Sequence, residues 1–108
     1  MIVAVPVTTD GQLDPRWGKA DQVAVANVED GKVKDWVVHR TDWQRLHDEG
    51  PHGTHHARVV RFLIDNKVEA VVIDHAGAPM TNTMQKLGVK IVLDASGPAK
   101  EAALLAVS

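Results

Sequence analysis

Histidine is the residue type with the clearest chemical meaning in this chain of 108 residues, which contains six histidines and no cysteine. Neutral imidazole is a common protein ligand for Zn, Cu, Ni and Fe, so histidines can bind such an ion without any thiolate. Five of them fall in one central stretch of the chain, and they are His47, His52, His55, His56 and His75. We therefore predict a transition-metal site built from a subset of these five side chains.

The spacing of these histidines suits the start of a helix. His52 lies three residues before His55 and four before His56, and these offsets place the side chains on one face if the helix begins early enough to include His52. His55 and His56 diverge by about 100° around a helix, so the two need not bind the same ion. Nearby carboxylates can accept the second N–H of a ligating imidazole, and the candidates are Asp48, Glu49 and Asp74. His39 ends a predicted strand, and we interpret it as structural.

The elements that must position these side chains follow a mixed α/β order. Runs rich in valine and isoleucine predict strands over residues 2–8, 22–28, 33–39, 68–73 and 89–93. Asp30-Gly31 predicts a hairpin turn between the second and third strands, and residues 40–53 are predicted to be a long loop. Helices are predicted over residues 54–66 and 80–87 and from Pro98 onward. The order β-β-β-α-β-α-β-α predicts a single domain over residues 1–108, a five-stranded mixed sheet with helices on both faces.

The first predicted helix carries its apolar residues on one side. Ala57, Val60, Leu63 and Ile64 share this face, and Thr54 is placed to cap the helix.

This topology brings the histidines to one rim of the sheet. The third strand runs parallel to the first, being two antiparallel steps away, and its carboxyl end leads into the histidine-rich loop and helix start. His75 follows the carboxyl end of the fourth strand, which is also parallel, and open α/β sheets bind ligands beyond these ends. The helix starts near Thr54, Met80 and Pro98 offer free N–H groups for an anion there. Gly77 lets a ligand approach the backbone closely.

Composition argues against several other classes of protein. The net charge of −2 provides no basic face for nucleic acid, and three Trp, one Phe and no Tyr make few stacking platforms. No segment approaches the roughly 18 apolar residues of a membrane span. The first residues resemble a strand rather than a basic leader, so we expect a cytoplasmic protein.

Two other kinds of function stay open from the residues alone. A zinc ion held by three histidines leaves a position for water, which would make a hydrolase with Glu49 or Asp74 as base. Asp10, Asp74 and Asp94 follow parallel strands, as in two-metal nucleases, but the chain has no basic face for nucleic acid. Besides these enzymes, a metal-free interaction module stays open, with Trp17, Trp36 and Trp43 as candidate anchors. Trp17 and Trp43 lie on predicted loops, where they would line the rim site or stabilise a homodimer.

With these segments in place, the chain resembles the dinitrogenase iron–molybdenum cofactor-binding family, which includes NifX-like and NifB C-terminal-like domains. The similar segments are residues 2–7 (IVAVPV), 13–20 (LDPRWGKA), 53–57 (GTHHA), 71–79 (VVIDHAGAP) and 87–91 (LGVKI). The family's Gly-Gly-x-Gly-Pro turn is replaced here by residues 74–79 (DHAGAP).

The resemblance implies a ribonuclease-H-like motif and a protein that binds or carries iron–molybdenum cofactor precursors or related metal–sulfur clusters. A recipient metalloprotein is the implied partner. A single Zn, Cu, Ni or Fe ion held by histidines is the alternative ligand. Besides the five histidines, the predicted cofactor-binding residues are Trp17, Gly53, Thr54 and Gly77.

Overall fold

The structure is a computed structural model that describes residues 1–47, 49–50 and 52–107, with the side chain of His52 outside the description. Its strands are β1 (Ile2–Val7), β2 (Gln22–Glu29), β3 (Lys32–Arg40), β4 (Ala70–Val72) and β5 (Lys90–Val92). Its α-helices are α1 (Trp43–His47), α2 (His52–Asp65), α3 (Ala78–Lys86) and α4 (Ala99–Ala103). Short 3-10 helices cover Trp17–Lys19 and Leu104–Val107.

The five strands form one mixed sheet in the order β3-β2-β1-β4-β5. β2 pairs antiparallel with both β1 and β3, whereas β4 pairs parallel with β1 and β5. The predicted mixed sheet is confirmed, and β3 runs parallel to β1 as expected. The ribonuclease-H-like label stays a prediction. The turn between β2 and β3 uses positive φ at Asp30 and Gly31, the backbone conformation that Asp-Gly favours.

Two layers of apolar side chains hold the helices on opposite faces of the sheet. Along β1, Val3 and Val5 face a cluster completed by the alanines of α4, while Ala4 faces the cluster formed with α1, α2 and α3. This alternation follows from the two-residue period of a strand. Helices on both faces are therefore confirmed. In the described part of the chain, none of the helices has the length and apolar content needed to cross a membrane.

The predicted loop over residues 40–53 is wrong in part, because α1 lies inside it and α2 begins at His52. Trp43 begins this helix and is 2% exposed, and its ring makes edge-to-face contacts with Trp17 at 5.2 Å and Phe62 at 5.4 Å. A helix of five residues is too short to show a periodic pattern, and tertiary packing of the indole stabilises it instead. Trp17 is 3% exposed, so neither tryptophan is the exposed anchor that the interaction reading requires.

α2 begins two residues earlier than predicted and presents a different inner face. His55, Val59 and Leu63 are buried at a spacing of four residues, whereas Ala57 and Ile64 are exposed. Thr54 lies within the first turn and is not its cap. The buried face of α2 includes the polar residue His55. A prediction that counts only apolar residues therefore selects a different face of this helix as the inner one.

Candidate functional site

A cleft of about 460 Å³ opens at the rim where β1, β3 and β4 end. We call it the rim cleft. Its walls come from the 3-10 helix after β1, from α1, from the start of α2, and from the segment between β4 and α3. The lining residues are Arg16, Trp17, Gly18, Lys19, His47, His55, His56, His75, Ala76, Gly77, Pro79 and Met80. The structure thus brings four of the five predicted histidines to one cleft, together with Trp17 and Gly77.

A buried carboxylate holds the first wall in place. Asp14 is 3% exposed, and its Oδ1 accepts hydrogen bonds from the backbone N–H and Nε of Arg16 at 2.9 and 3.2 Å. Arg16 Nη2 donates to Oδ2 of the same carboxylate at 3.2 Å. These hydrogen bonds raise the pKa of the Arg16 guanidinium above its ordinary value, so it stays protonated and paired with the Asp14 carboxylate at the edge of the cleft. A parallel bridge between Arg16 and His75 connects this wall to the segment after β4.

His55 is built into the protein through both ring nitrogens. Its Nε2 lies 2.7 Å from the carbonyl oxygen of Gly18, and its Nδ1 lies 2.9 Å from Arg58 Nη1. A carbonyl oxygen only accepts and a guanidinium only donates, so Nε2 carries the proton and Nδ1 accepts. His55 is 5% exposed, and its ring faces Trp43 edge-on at 6.3 Å. This side chain ties α2 to the 3-10 helix.

His56 turns toward α3 instead. Its Nε2 lies 2.7 Å from Thr83 Oγ1, and this contact joins the two helices that border the cleft. The ring is half-buried, and His56 lines the cleft.

His47 and His75 complete the histidine wall. The ring of His47 stands 5.2 Å from that of His55 at an angle of 77°. The side chain of His75 is 74% exposed, and its Nδ1 lies 3.5 Å from Asp74 Oδ2, which is a contact longer than an ordinary hydrogen bond. Glu49, the second expected carboxylate, instead accepts a hydrogen bond from Arg45 at 3.1 Å. Asp48 and the side chain of His52 lie outside the described residues.

The start of α3 supplies hydrogen-bond donors at the cleft. Gly77 is its N-cap and offers no side-chain cap. The N–H groups of Ala78 and Met80 belong to the first turn, where a helix has no internal acceptors, and the helix dipole adds partial positive charge there. The indole Nε1 of Trp17 is buried without a hydrogen-bond partner among the described residues.

The donors surround the cleft rather than meeting at one point. Within residues 1–47, 49–50 and 52–107, no three His, Asp or Glu side chains lie close enough to hold one ion. Gly53 and Thr54 are exposed in the first turn of α2 and do not line the cleft. Residues that our sequence analysis missed as parts of the site are Arg16, Gly18, Lys19, Arg58 and Thr83. Arg16 and Lys19 were detectable as basic residues beside Trp17, and Arg58 as a residue three positions after His55 on the same helix, whereas Thr83 reaches His56 only through a tertiary contact.

Comparison with known proteins agrees with this architecture. A family model described as dinitrogenase iron-molybdenum cofactor matches residues 1–108. A solved NifB-assigned protein from Thermotoga is similar at 25% identity and a TM-score of 0.68, over 94% of this chain and 82% of that one. The apo form of the orange protein from Desulfovibrio gigas matches with a TM-score of 0.76 at 18% identity, over 98% of this chain and 85% of that one. At that identity the likeness shows the fold alone. No curated protein sequence matches the chain.

Proposed function

Because the chain belongs to the dinitrogenase iron-molybdenum cofactor family, we propose that it binds and carries a metal–sulfur cluster in the rim cleft. The family suggests a role in binding the iron–molybdenum cofactor or a related cluster. The observation that carries the proposal for this chain is the cleft itself, which has histidines and N–H donors distributed around a volume of about 460 Å³.

The distribution of donors favours a cluster over a single ion. One transition-metal ion needs three or four nitrogens at about 2.0–2.1 Å from a common centre. The described side chains of the cleft do not converge in that way. A cluster of several metal and sulfur atoms, in contrast, presents metal to one wall and sulfide to another. His56 and His75 are the side chains that we assign to the metal edge.

Other groups of the cleft favour an anionic cluster. Lys19 is exposed at the cleft, and the first turn of α3 adds N–H groups that favour anions, whereas the charge of Arg16 is paired with Asp14. Since the chain has no cysteine, any sulfur bound to the metal has to arrive with the cluster. We expect these groups to hydrogen-bond to sulfide or oxide atoms of such a cluster.

The buried N–H of Trp17 supports the same assignment. An indole N–H without a partner costs free energy when it is buried, about 1–3 kcal/mol. Trp17 lines the cleft but its Nε1 is closed to solvent, so the indole has to shift before this donor can bond to an acceptor atom of a bound cluster.

A carrier has to release its cargo as well as bind it. The donors on the outer part of the cleft, His75 and Lys19, are exposed, whereas His55 and Trp17 at its inner part are buried. A recipient metalloprotein could therefore reach the cluster from the open side, and we include such a partner in the proposal.

Metal analysis and titration test this function. Protein purified without a histidine tag is first analysed for Fe, Mo, Cu, Ni and Zn, and the metal-free form is then titrated with tetrathiomolybdate and with each cation alone. We expect stoichiometric binding of the thioanion, weakened in His75→Ala and unchanged in His39→Ala, which alters a histidine outside the cleft. Binding of a cation alone would favour the single-ion alternative. The proposal fails if none of these probes binds.

A further inference from the structure

Thr83 connects two hydrogen bonds at the border of the rim cleft. It lies in α3, and its Oγ1 is 2.9 Å from the carbonyl oxygen of Pro79, four residues earlier in the same helix. The same oxygen is 2.7 Å from Nε2 of His56 in α2. A threonine hydroxyl has a single proton to donate, so these two contacts cannot both use it.

The proton count fixes the state of the histidine. The carbonyl oxygen of Pro79 can only accept, so the hydroxyl donates its proton there, a bond typical of threonine within a helix. Thr83 Oγ1 must then accept from His56, which places the imidazole proton on Nε2. In the neutral ring the lone pair that can bind a metal is consequently on Nδ1.

The neighbouring histidine has the same tautomer but no open nitrogen. His55 donates from Nε2 to Gly18, and its Nδ1 accepts from Arg58 at 2.9 Å. For Nδ1 of His56, the described residues provide no hydrogen-bond partner. Two adjacent histidines are thus distinguished at Nδ1, which is bonded to a guanidinium in His55 and has no hydrogen bond to the described residues in His56.

We propose that Thr83 is a positioning residue that holds the His56 proton on Nε2 and thereby makes Nδ1 the atom that binds metal in the rim cleft. The assignment of the tautomer rests on hydrogen bonds alone, while the metal-binding part rests on the proposed function. Partners that orient a ligating histidine commonly change metal affinity by about 10- to 100-fold when they are removed.

Nitrogen-15 NMR of the metal-free protein tests the tautomer. We expect the His56 ring to be protonated at Nε2 in the wild type and in Thr83→Ser, which keeps the hydroxyl. In Thr83→Val we expect a shift toward protonation at Nδ1. Thr81→Val is the matched control, because Thr81 makes the same type of bond to the Gly77 carbonyl at 3.1 Å and, among the described residues, makes no hydrogen bond to a histidine. A wild-type ring protonated at Nδ1, or a Thr83→Val ring identical to the wild type, would overturn the inference.

Titration of the same four proteins with Zn²⁺ and with tetrathiomolybdate tests the binding atom. Bound Zn²⁺, which has open coordination positions, should shift the Nδ1 resonance of His56, and its Kd should rise about 10- to 100-fold in Thr83→Val but not in Thr83→Ser or Thr81→Val. A shift at Nε2, or an unchanged Kd in Thr83→Val, contradicts the inference. If neither probe binds a wild type that shows the expected tautomer, the proposed function fails while the role of Thr83 in setting the tautomer stands.

Discussion

His55 and His56 are adjacent and chemically identical, yet the fold gives them different surroundings. His55 is 5% exposed and bonded at both nitrogens, whereas His56 is half-buried at the cleft with one nitrogen bonded. The sequence predicts that histidines gather at this helix start, because spacing is a local property. It does not predict which of them is buried, since that depends on Gly18 and Thr83, which reach the rings only in the folded chain.

Replacement of each histidine by alanine should separate these two roles. His55→Ala removes hydrogen bonds to a carbonyl and to a guanidinium and should lower the free energy of unfolding by about 2–3 kcal/mol, against about 1 kcal/mol for His56→Ala. The urea midpoints of the two variants measure this difference. Equal midpoints would contradict the structural role assigned to His55.

Trp17→Phe should affect binding more than folding. Loss of the larger ring weakens packing, but the change also removes a buried donor that has no partner, so the free energy of unfolding should change by less than about 1 kcal/mol. The affinity for tetrathiomolybdate should fall about tenfold if that donor bonds to the cluster. Trp43→Phe is the comparison, since Trp43 is equally buried and does not line the cleft. Equal losses of affinity in both variants would show that the Trp17 N–H has no special role.

The strands could be predicted from the sequence, whereas the segments that form the rim could be predicted only in part. Valine-rich runs and the Asp-Gly turn locate β1 to β5 because burial on both faces and turn chemistry leave local patterns. α1 and the 3-10 helix Trp17–Lys19 leave no such pattern, because contacts between Trp17, Trp43 and Phe62 stabilise them across the chain. Both missed segments form walls of the rim cleft.

The wall after β1 should depend on Asp14. Asp14→Asn weakens a buried carboxylate that accepts three hydrogen bonds from Arg16, and should cost about 1.5–3 kcal/mol of unfolding free energy. Asp42→Asn is the matched change, because Asp42 also accepts from an arginine, Arg40 at 2.9 Å, but in an exposed pair. Exposed pairs contribute less than about 1 kcal/mol. Thermal unfolding of both variants measures the contrast, and a larger loss in Asp42→Asn would refute it.

The sheet brings segments that are distant in the sequence to a common rim. The order β3-β2-β1-β4-β5 places β2 and β1 between β3 and β4, so the histidine groups after β3 and β4 do not come from neighbouring strands. They meet because α2 and α3 pack on the same face as α1. The sequence predicted the shared rim from strand directions, whereas the convergence on one cleft depends on helix packing.

A ligand that contacts walls from four segments should stabilise the entire domain. Tetrathiomolybdate at 100 times its Kd would add about 2.7 kcal/mol, which corresponds to roughly 10 °C or more in the Tm of a domain of this size. Differential scanning calorimetry measures the shift, with sulfate at equal concentration as the control. A similar shift with sulfate would indicate a general effect of anions.

Trp17 and Trp43 also give the protein an optical readout of its own loading. Their indoles touch each other at 5.2 Å, and one of them lines the cleft, whereas Trp36 packs on the opposite face of the sheet beneath Lys100. A coloured cluster in the cleft would accept the excitation energy of Trp17 and Trp43 by dipolar transfer. The fluorescence intensity of these indoles should therefore fall when the cluster binds and recover when it dissociates. A variant that retains only Trp36 should respond less, and transfer of the cluster to a recipient could then be followed in real time without any attached dye.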